Sequence, residues 1–405
     1  MANLKVKMGT MELNNPVIIS AGHLTRTGKE IENCDRFGAG AIITKSSFLG
    51  KDYEKVVNPY APGLFPDARA KFHSTGDGYL AACGLSPWPV ETWAQWFREN
   101  IYKIKTPVIA SIMAVSTEGY VKSAKMLQEA GAPAIEILLA CPLPYLLPHP
   151  YVGGASFNPV IVEEVCLSVR KAVNIPVGVK LMFNPLDTSP LKIPLEVGLD
   201  WITVCMAILA APGINLETIE PDIPTSVFLC GSKAAKHANF VALLALAEQY
   251  KDIHISASGG TQKWSDIIEY IMYGANTVQI QGLFLEKGLG IIDEIKKEIL
   301  AYMDTKGYSS IDNMKGAIFE KLISFDEALS TYSETRDQIN VSVDRDKCVA
   351  CGLCEGLCNW NALALVGGKL ETTKECEGCG LCVCSCPEDA LTLENVETIR
   401  QVARG

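Results

Sequence analysis

Along the first three-quarters of the chain, short apolar runs alternate with stretches whose apolar residues recur every three or four positions. Runs that stay apolar throughout suit strands buried on both faces of a parallel sheet. The pattern predicts strands over 15–21, 41–45, 108–113, 134–140, 177–182, 201–205, 254–258 and 277–281. Between them, 117–130, 158–173, 240–250 and 263–273 carry helical spacing. Repeated βα units in this number predict an α/β fold, a closed (β/α)8 TIM barrel over 1–305. Most runs end in or just before a Gly, Cys, Lys or Ser where the chain leaves for a loop, and in such barrels chemistry is done at those C-terminal strand ends.

The pattern then changes. Residues 306–340 are polar and helix-forming, which predicts a helical linker, and 341–405 predict a small α+β domain of two similar halves. Its cysteines repeat one spacing twice: Cys348, Cys351, Cys354 and Cys358, then Cys376, Cys379, Cys382 and Cys386. Three thiolates two residues apart wrap one corner of a 4Fe-4S cubane, and the fourth ligates the other cluster. This predicts a bacterial-type ferredoxin domain. One cluster takes Cys348, Cys351, Cys354 and Cys386; the other takes Cys376, Cys379, Cys382 and Cys358. Asn359 stands where the pattern usually has proline, as at Pro387, which alters a turn and removes no ligand. Paired thiols also read as a zinc ribbon, but the duplicated three-plus-one pattern favours clusters. Cys384 fits neither set and is expected to pack internally.

Composition narrows the setting. A net charge of -10 and a pI near 5.2 leave no basic face to displace counterions from nucleic acid. Thiols confined to a cluster motif or scattered singly point to a reducing, cytoplasmic compartment, and neither a signal peptide nor a membrane-length apolar stretch is expected. No Gly-x-Gly-x-x-Gly unit offers an NAD(P) or FAD site. Electrons are therefore expected to pass through the clusters to a separate partner, an NAD(P)H-dependent flavoprotein subunit or a ferredoxin, in a homo- or hetero-oligomer.

The stretches Ile43-Thr44-Lys45-Ser46, Ile109-Ala110-Ser111-Ile112-Met113, Glu136-Ile137-Leu138-Leu139-Ala140-Cys141-Pro142, Val179-Lys180-Leu181 and Ser258-Gly259-Gly260 stand in the order and spacing of the dihydroorotate dehydrogenase family. With the appended cysteine module, the chain resembles the pyrimidine-reducing part of dihydropyrimidine dehydrogenases. The resemblance implies FMN, its phosphate at the ends of the last two strands. Ser258, Gly259 and Gly260 suit that place independently, since two residues without Cβ let backbone N–H groups approach an anion, although glycine pairs also make ordinary turns. Gln281 and Gly282 offer a second turn. Ser20, Ala21, Gly22 and Ser111 are further FMN contacts on the resemblance.

The resemblance also implies that Lys45 touches the flavin and that Lys180 lies near its N1 and O2 region; the alternative is a pair of lysines snorkelling at the rim. Cys141, elsewhere readable as a small buried hydrophobe, would exchange a proton with the substrate carbon. Residues 142–156, with Tyr145, His149 and Tyr151, form a Pro- and Gly-rich loop suited to excluding water. His23 either reaches the substrate or is solvated, Asn184 either orients a loop or makes a turn, and the helix begun by Ser86 with Trp88, Trp93 and Trp96 reads as core or subunit contact.

The departures bear on the substrate. Pyrimidine-handling relatives carry asparagines where this chain has Leu138 and Thr117, and an Asn-Thr pair where it has Met206 and Ala207. An imide ring would lose about 1 to 3 kcal/mol for each missing partner. The expected substrate is less polar than a pyrimidine, with a C=C or CH–CH bond next to a carbonyl. A pyrimidine or dihydroorotate enzyme with an altered pocket, and an electron-transfer subunit lacking its own substrate, are the competing expectations.

Overall fold

A computed structural model of the chain describes residues 2–52, 72–74, 78–81, 86–140, 150–151, 154–184, 186–205, 208–211, 213–221, 228–250, 254–324, 326–330, 339–373 and 375–395. The chain divides into two compact units, Met1–Phe319 and Glu320–Gly405.

The first unit is a closed barrel of eight parallel strands in sequential order. They are β1 (Val17–Ile19), β2 (Ala41–Ile43), β3 (Val108–Ile112), β4 (Ala134–Leu138), β5 (Val177–Leu181), β6 (Trp201–Cys205), β7 (Ile255–Ser258) and β8 (Thr277–Ile280). A helix follows each: α1 (Gly28–Asp35), α2 (Val90–Asn100), α3 (Thr117–Glu129), α4 (Pro159–Ala172), α5 (Ile193–Glu196), α6 (Lys233–Gln249), α7 (Trp264–Met272) and α8 (Ile291–Lys306). The helix starts are written in the sequence. Ser116 Oγ caps α3 at Gly119 N–H, and Asn158 Oδ1 caps α4 at Val160 N–H just before Pro159.

Inside the barrel, Gly178 of β5 faces Trp201 of β6, and a Cβ on Gly178 would lie 2.0 Å from the indole. Trp201 is fully buried and fills the layer below Lys180. Beneath it, Asp200 Oδ2 accepts from Arg170 Nη1 at 2.6 Å and from Val177 N–H at 2.8 Å, tying α4 to the feet of β5 and β6.

The structure adds a four-stranded antiparallel sheet that the apolar pattern did not predict, ordered Ile208–Ala210, Phe228–Ser232, Gly78–Ala81, Phe72–Ser74. It joins the chain after β2 to the chain after β6. Helix α6 starts at Lys233, ahead of the expected residue 240. The barrel unit also runs past residue 305 into the expected linker. Ile311 and Met314 are fully buried in the barrel core, and Lys315 Nζ donates to Asn276 Oδ1 at 2.9 Å. The tryptophans of α2 are core: Trp93 and Trp96 pack edge to face, and Trp93 Nε1 donates to Ser86 Oγ at 3.1 Å.

Among the described residues from 339 to 395, the second unit holds two antiparallel pairs, Asn340–Val343 with Leu391–Glu394 and Leu363–Val366 with Lys369–Thr372, and two short helices, Leu353–Leu357 and Leu381–Cys384. Val341, Leu363, Leu370, Cys382 and Leu391 form its core. Cys384, expected to pack internally, is exposed. The short helix turns Cys382 inward and therefore carries the residue two positions on to the other side. Among the described residues no helix is long and apolar enough to cross a membrane.

Candidate active site and thiol centres

The C-terminal mouth of the barrel is organised around Lys180. Its ammonium, only 7% exposed, donates to Ser20 Oγ at 3.2 Å, Ser258 Oγ at 3.2 Å and Gln279 Oε1 at 2.9 Å, so side chains from β7, β8 and the end of β1 meet on one cation. Deeper in, Gln279 Nε2 donates to Glu136 Oε2 at 2.7 Å and to Thr203 Oγ1 at 3.0 Å, and Thr203 Oγ1 donates to Glu136 Oε2 at 2.8 Å. Glu136 and Gln279 were not among the expected site residues. The available signal was an acid in the middle of the otherwise apolar β4.

The turn after β7 is held from behind. Asn239 Nδ2 donates to Ser258 O at 2.9 Å and to Tyr270 Oη at 3.0 Å, and Tyr270 Oη donates to Gly259 O at 2.6 Å. Burial pushes the Tyr270 phenol up, so it stays a neutral donor. Gly259 (φ +120°) and Gly260 (φ +68°) adopt conformations that disfavour a side chain. The next residue, Thr261, has its Oγ1 buried with no hydrogen-bond partner among the described residues. A glycine turn, an orphaned hydroxyl and a nearby cation fit the phosphate end of an FMN.

The remaining expected contacts divide. A Cβ on Gly22 would lie 2.2 Å from the Gln281 amide and require that side chain to shift, while Gly22 N–H donates to Thr25 Oγ1 at 3.1 Å. Ala21, Gln281 and Gly282 are half-buried around this turn, with Gly282 opening a short helix. Lys45 is half-buried beside His23, whose pKa it helps depress. Ser111 is buried with its Oγ 2.8 Å from Ser46 Oγ. Thr117 is engaged away from the barrel axis, donating to Glu164 Oε1 at 2.7 Å and lying 3.2 Å from Tyr151 Oη. Asn184 makes a turn, its Oδ1 accepting from Leu186 N–H at 3.0 Å. Leu138 ends β4 in register with Lys180 and, two residues after Glu136, turns to the same interior side. Cys141, Tyr145, His149, Met206 and Ala207 lie outside the described residues.

His23 has a pKa lowered to about 4 by burial and by the positive charges of Lys45 and Arg26. The unfolded chain takes up this proton first, so the stability present above pH ~6.5 is lost as pH falls towards the folded value, by about 2 kcal/mol. The melting temperature is expected to drop between pH 6.5 and pH 4 more steeply in the native chain than in His23→Asn.

In the second unit the thiols ring two cavities. One is lined by Cys348, Cys351, Cys354 and Cys386, the other by Cys358, Cys376, Cys379 and Cys382. Each set takes three cysteines from one run and the last from the other. Among the described residues no three His, Cys, Asp or Glu side chains converge closely enough for a single metal ion. The two halves repeat their backbone: Ala350 (φ +54°) matches Gly378 (φ +65°), and Asn361 (φ +52°) matches Asp389 (φ +46°). Ala362 N–H donates to Cys358 Sγ and Ala390 N–H to Cys386 Sγ, both at 3.3 Å. Burial pushes the Cys382 thiol up to about 11, so forming its thiolate calls for cationic partners. Four thiols lining each cavity, with backbone N–H groups aimed at sulfur, fit a 4Fe-4S cluster.

Residues 3–303 match the sequence pattern of a family described as dihydroorotate dehydrogenase. Among the similar proteins, the dihydroorotate dehydrogenase B (NAD(+)) catalytic subunit of Methanothermobacter thermautotrophicus is 29% identical over 77% of this chain and 97% of its own. The catalytic subunit of the same description from Methanosarcina mazei is 30% identical over 76% of this chain and 93% of its own. The NAD-dependent dihydropyrimidine dehydrogenase subunit PreA of Escherichia coli is 25% identical over 61% of this chain and 60% of its own.

Proposed function

Because the chain belongs to the dihydroorotate dehydrogenase family, and is therefore a flavin-dependent oxidoreductase, we propose that it acts on a CH–CH or C=C bond next to a carbonyl in a molecule less polar than a pyrimidine. The observation that carries this reading is Leu138. It ends β4 in register with Lys180, where pyrimidine-handling relatives use an asparagine. An imide ring over that position would leave polar groups without partners.

Bound FMN would supply hydride chemistry, through its N5, towards a substrate carbon. Ser258, Gly259, Gly260 and Thr261 would hold its phosphate, with Gln281 and Gly282 across from them, while Ser20, Ala21, Gly22, Lys45 and Ser111 would line its other contacts. Lys180 supplies positive charge that stabilises negative charge arising on a reduced ring. Cys141 moves a proton at Sγ to or from the neighbouring substrate carbon. Thr261→Val is expected to weaken FMN binding about three- to tenfold, the worth of one hydrogen bond. Fluorescence titration of the flavin-stripped chain measures it.

Cys348, Cys351, Cys354, Cys386 and Cys376, Cys379, Cys382, Cys358 would hold two 4Fe-4S clusters, which would supply one-electron chemistry towards a separate protein. The domain that holds them spans 341–405, joined to the barrel through a linker within 306–340. The crossed thiol quartets support this reading over a zinc ribbon.

The test is an anaerobic spectral titration of the reduced chain. Return of the oxidised flavin spectrum with an apolar enone or enoate, and not with uracil, thymine or orotate, is the expected result. Return with uracil, thymine or orotate establishes the second reading, a pyrimidine or dihydroorotate enzyme, which the names of the relatives favour.

A further inference from the structure

Glu136 is a fully buried carboxylate whose Oε1 has no hydrogen-bond partner among the described residues. Among the described residues its Oε2 accepts from two neutral donors, Gln279 Nε2 and Thr203 Oγ1. Burying a carboxylate on two neutral donors is costly unless a positive charge offsets it. Lys180 lies at the far side of the same amide, donating to Gln279 Oε1 at 2.9 Å. An ammonium only donates and an ionised carboxylate only accepts, so the amide of Gln279 has one stable orientation, oxygen towards Lys180 and nitrogen towards Glu136. Each charge polarises the bond to the other.

We propose that Glu136 is the counter-charge of Lys180, coupled to it through Gln279, and that it sets how strongly the site favours reduced flavin. Glu136 is then a positioning residue, since it touches neither flavin nor substrate in this arrangement. The tuning half rests on the proposed place of Lys180 at the flavin; the charge pairing does not. The sign is fixed by electrostatics: a negative charge behind Lys180 offsets part of its field, so removing that charge stabilises an anionic reduced ring.

Two readouts on the full chain test the two halves. In the flavin-stripped chain, Lys180→Met strands the carboxylate and is expected to lower the melting temperature of the barrel by about 5–10 °C. Adding Glu136→Gln to it is expected to restore at least half of that loss, the mark of coupled sites. The restoration should vanish in a Gln279→Met background. In the holoenzyme, Glu136→Gln is expected to shift the flavin's equilibrium with a reference redox dye at least fivefold towards the reduced form. Additive melting losses overturn the proposal. Coupled melting with an unmoved dye equilibrium leaves the charge pair standing and overturns the tuning of the flavin by Glu136. A merely structural Glu136 would change melting in the Glu136→Gln chain and leave the dye equilibrium alone.

Discussion

Cys141→Ala is expected to lower turnover about 10²- to 10⁴-fold, the usual worth of a positioned general acid or base, with FMN and iron content unchanged. The chain reaches residue 141 under tight control: Leu139 N–H donates to Lys180 O at 3.1 Å, and Leu139 O accepts from Ser156 Oγ at 2.8 Å. Ser156 Oγ in turn accepts from Met182 N–H at 3.0 Å, so the end of β4 is fastened to β5 immediately before the cysteine. On the proposed role, substitution there would remove the proton carrier and leave those ties in place. Anaerobic single-turnover absorbance separates the outcomes, because the flavin should still bind while its exchange with substrate slows. Full turnover in the Cys141→Ala chain, with cofactors intact, removes Cys141 from the reaction.

The second large effect follows from the way the thiols cross between halves. Each cavity takes its last cysteine from the other run, Cys386 for one and Cys358 for the other. Pairs of substitutions therefore sort by cavity and not by position in the sequence. Cys351→Ala with Cys386→Ala damages one centre, and about four of about eight irons should remain per chain. Cys351→Ala with Cys358→Ala damages both, and iron should fall close to zero. Iron analysis with low-temperature electron paramagnetic resonance reads the difference. Equal iron loss in the two double variants would refute the crossed assignment.

What could be read from the sequence was what local burial dictates. The eight barrel strands are buried on both faces and mostly apolar, so each announces itself without reference to distant residues, and all eight expected segments contain a strand. The antiparallel sheet escaped notice because its register joins Cys230 to Leu80, a pairing that no local pattern encodes. The start of α6 was hidden for another reason. Lys236 and Asn239 turn their polar ends inward, to Asp266 at 2.6 Å and to Ser258 O, and interrupt the apolar rhythm that marks a helix face. The site shows the same division. Lys180 and the turn at Ser258 stood out at strand ends, whereas Glu136, Gln279 and the orphaned hydroxyl of Thr261 acquire meaning only when the barrel closes and brings them across its axis. Cys384 shows the converse limit, since a count of thiols does not say which way a one-turn helix faces.

The indole of Trp201, lodged where Gly178 leaves room, gives the barrel a floor. Among the described residues that floor closes the barrel beneath Lys180, so what reacts above it is expected to come and go at the C-terminal mouth. Whatever lies deepest leaves last. A flavin bound at that mouth, with Lys180 and Gln279 between it and the indole, would be covered by any molecule bound above it, so occupancy by substrate or product should slow its escape.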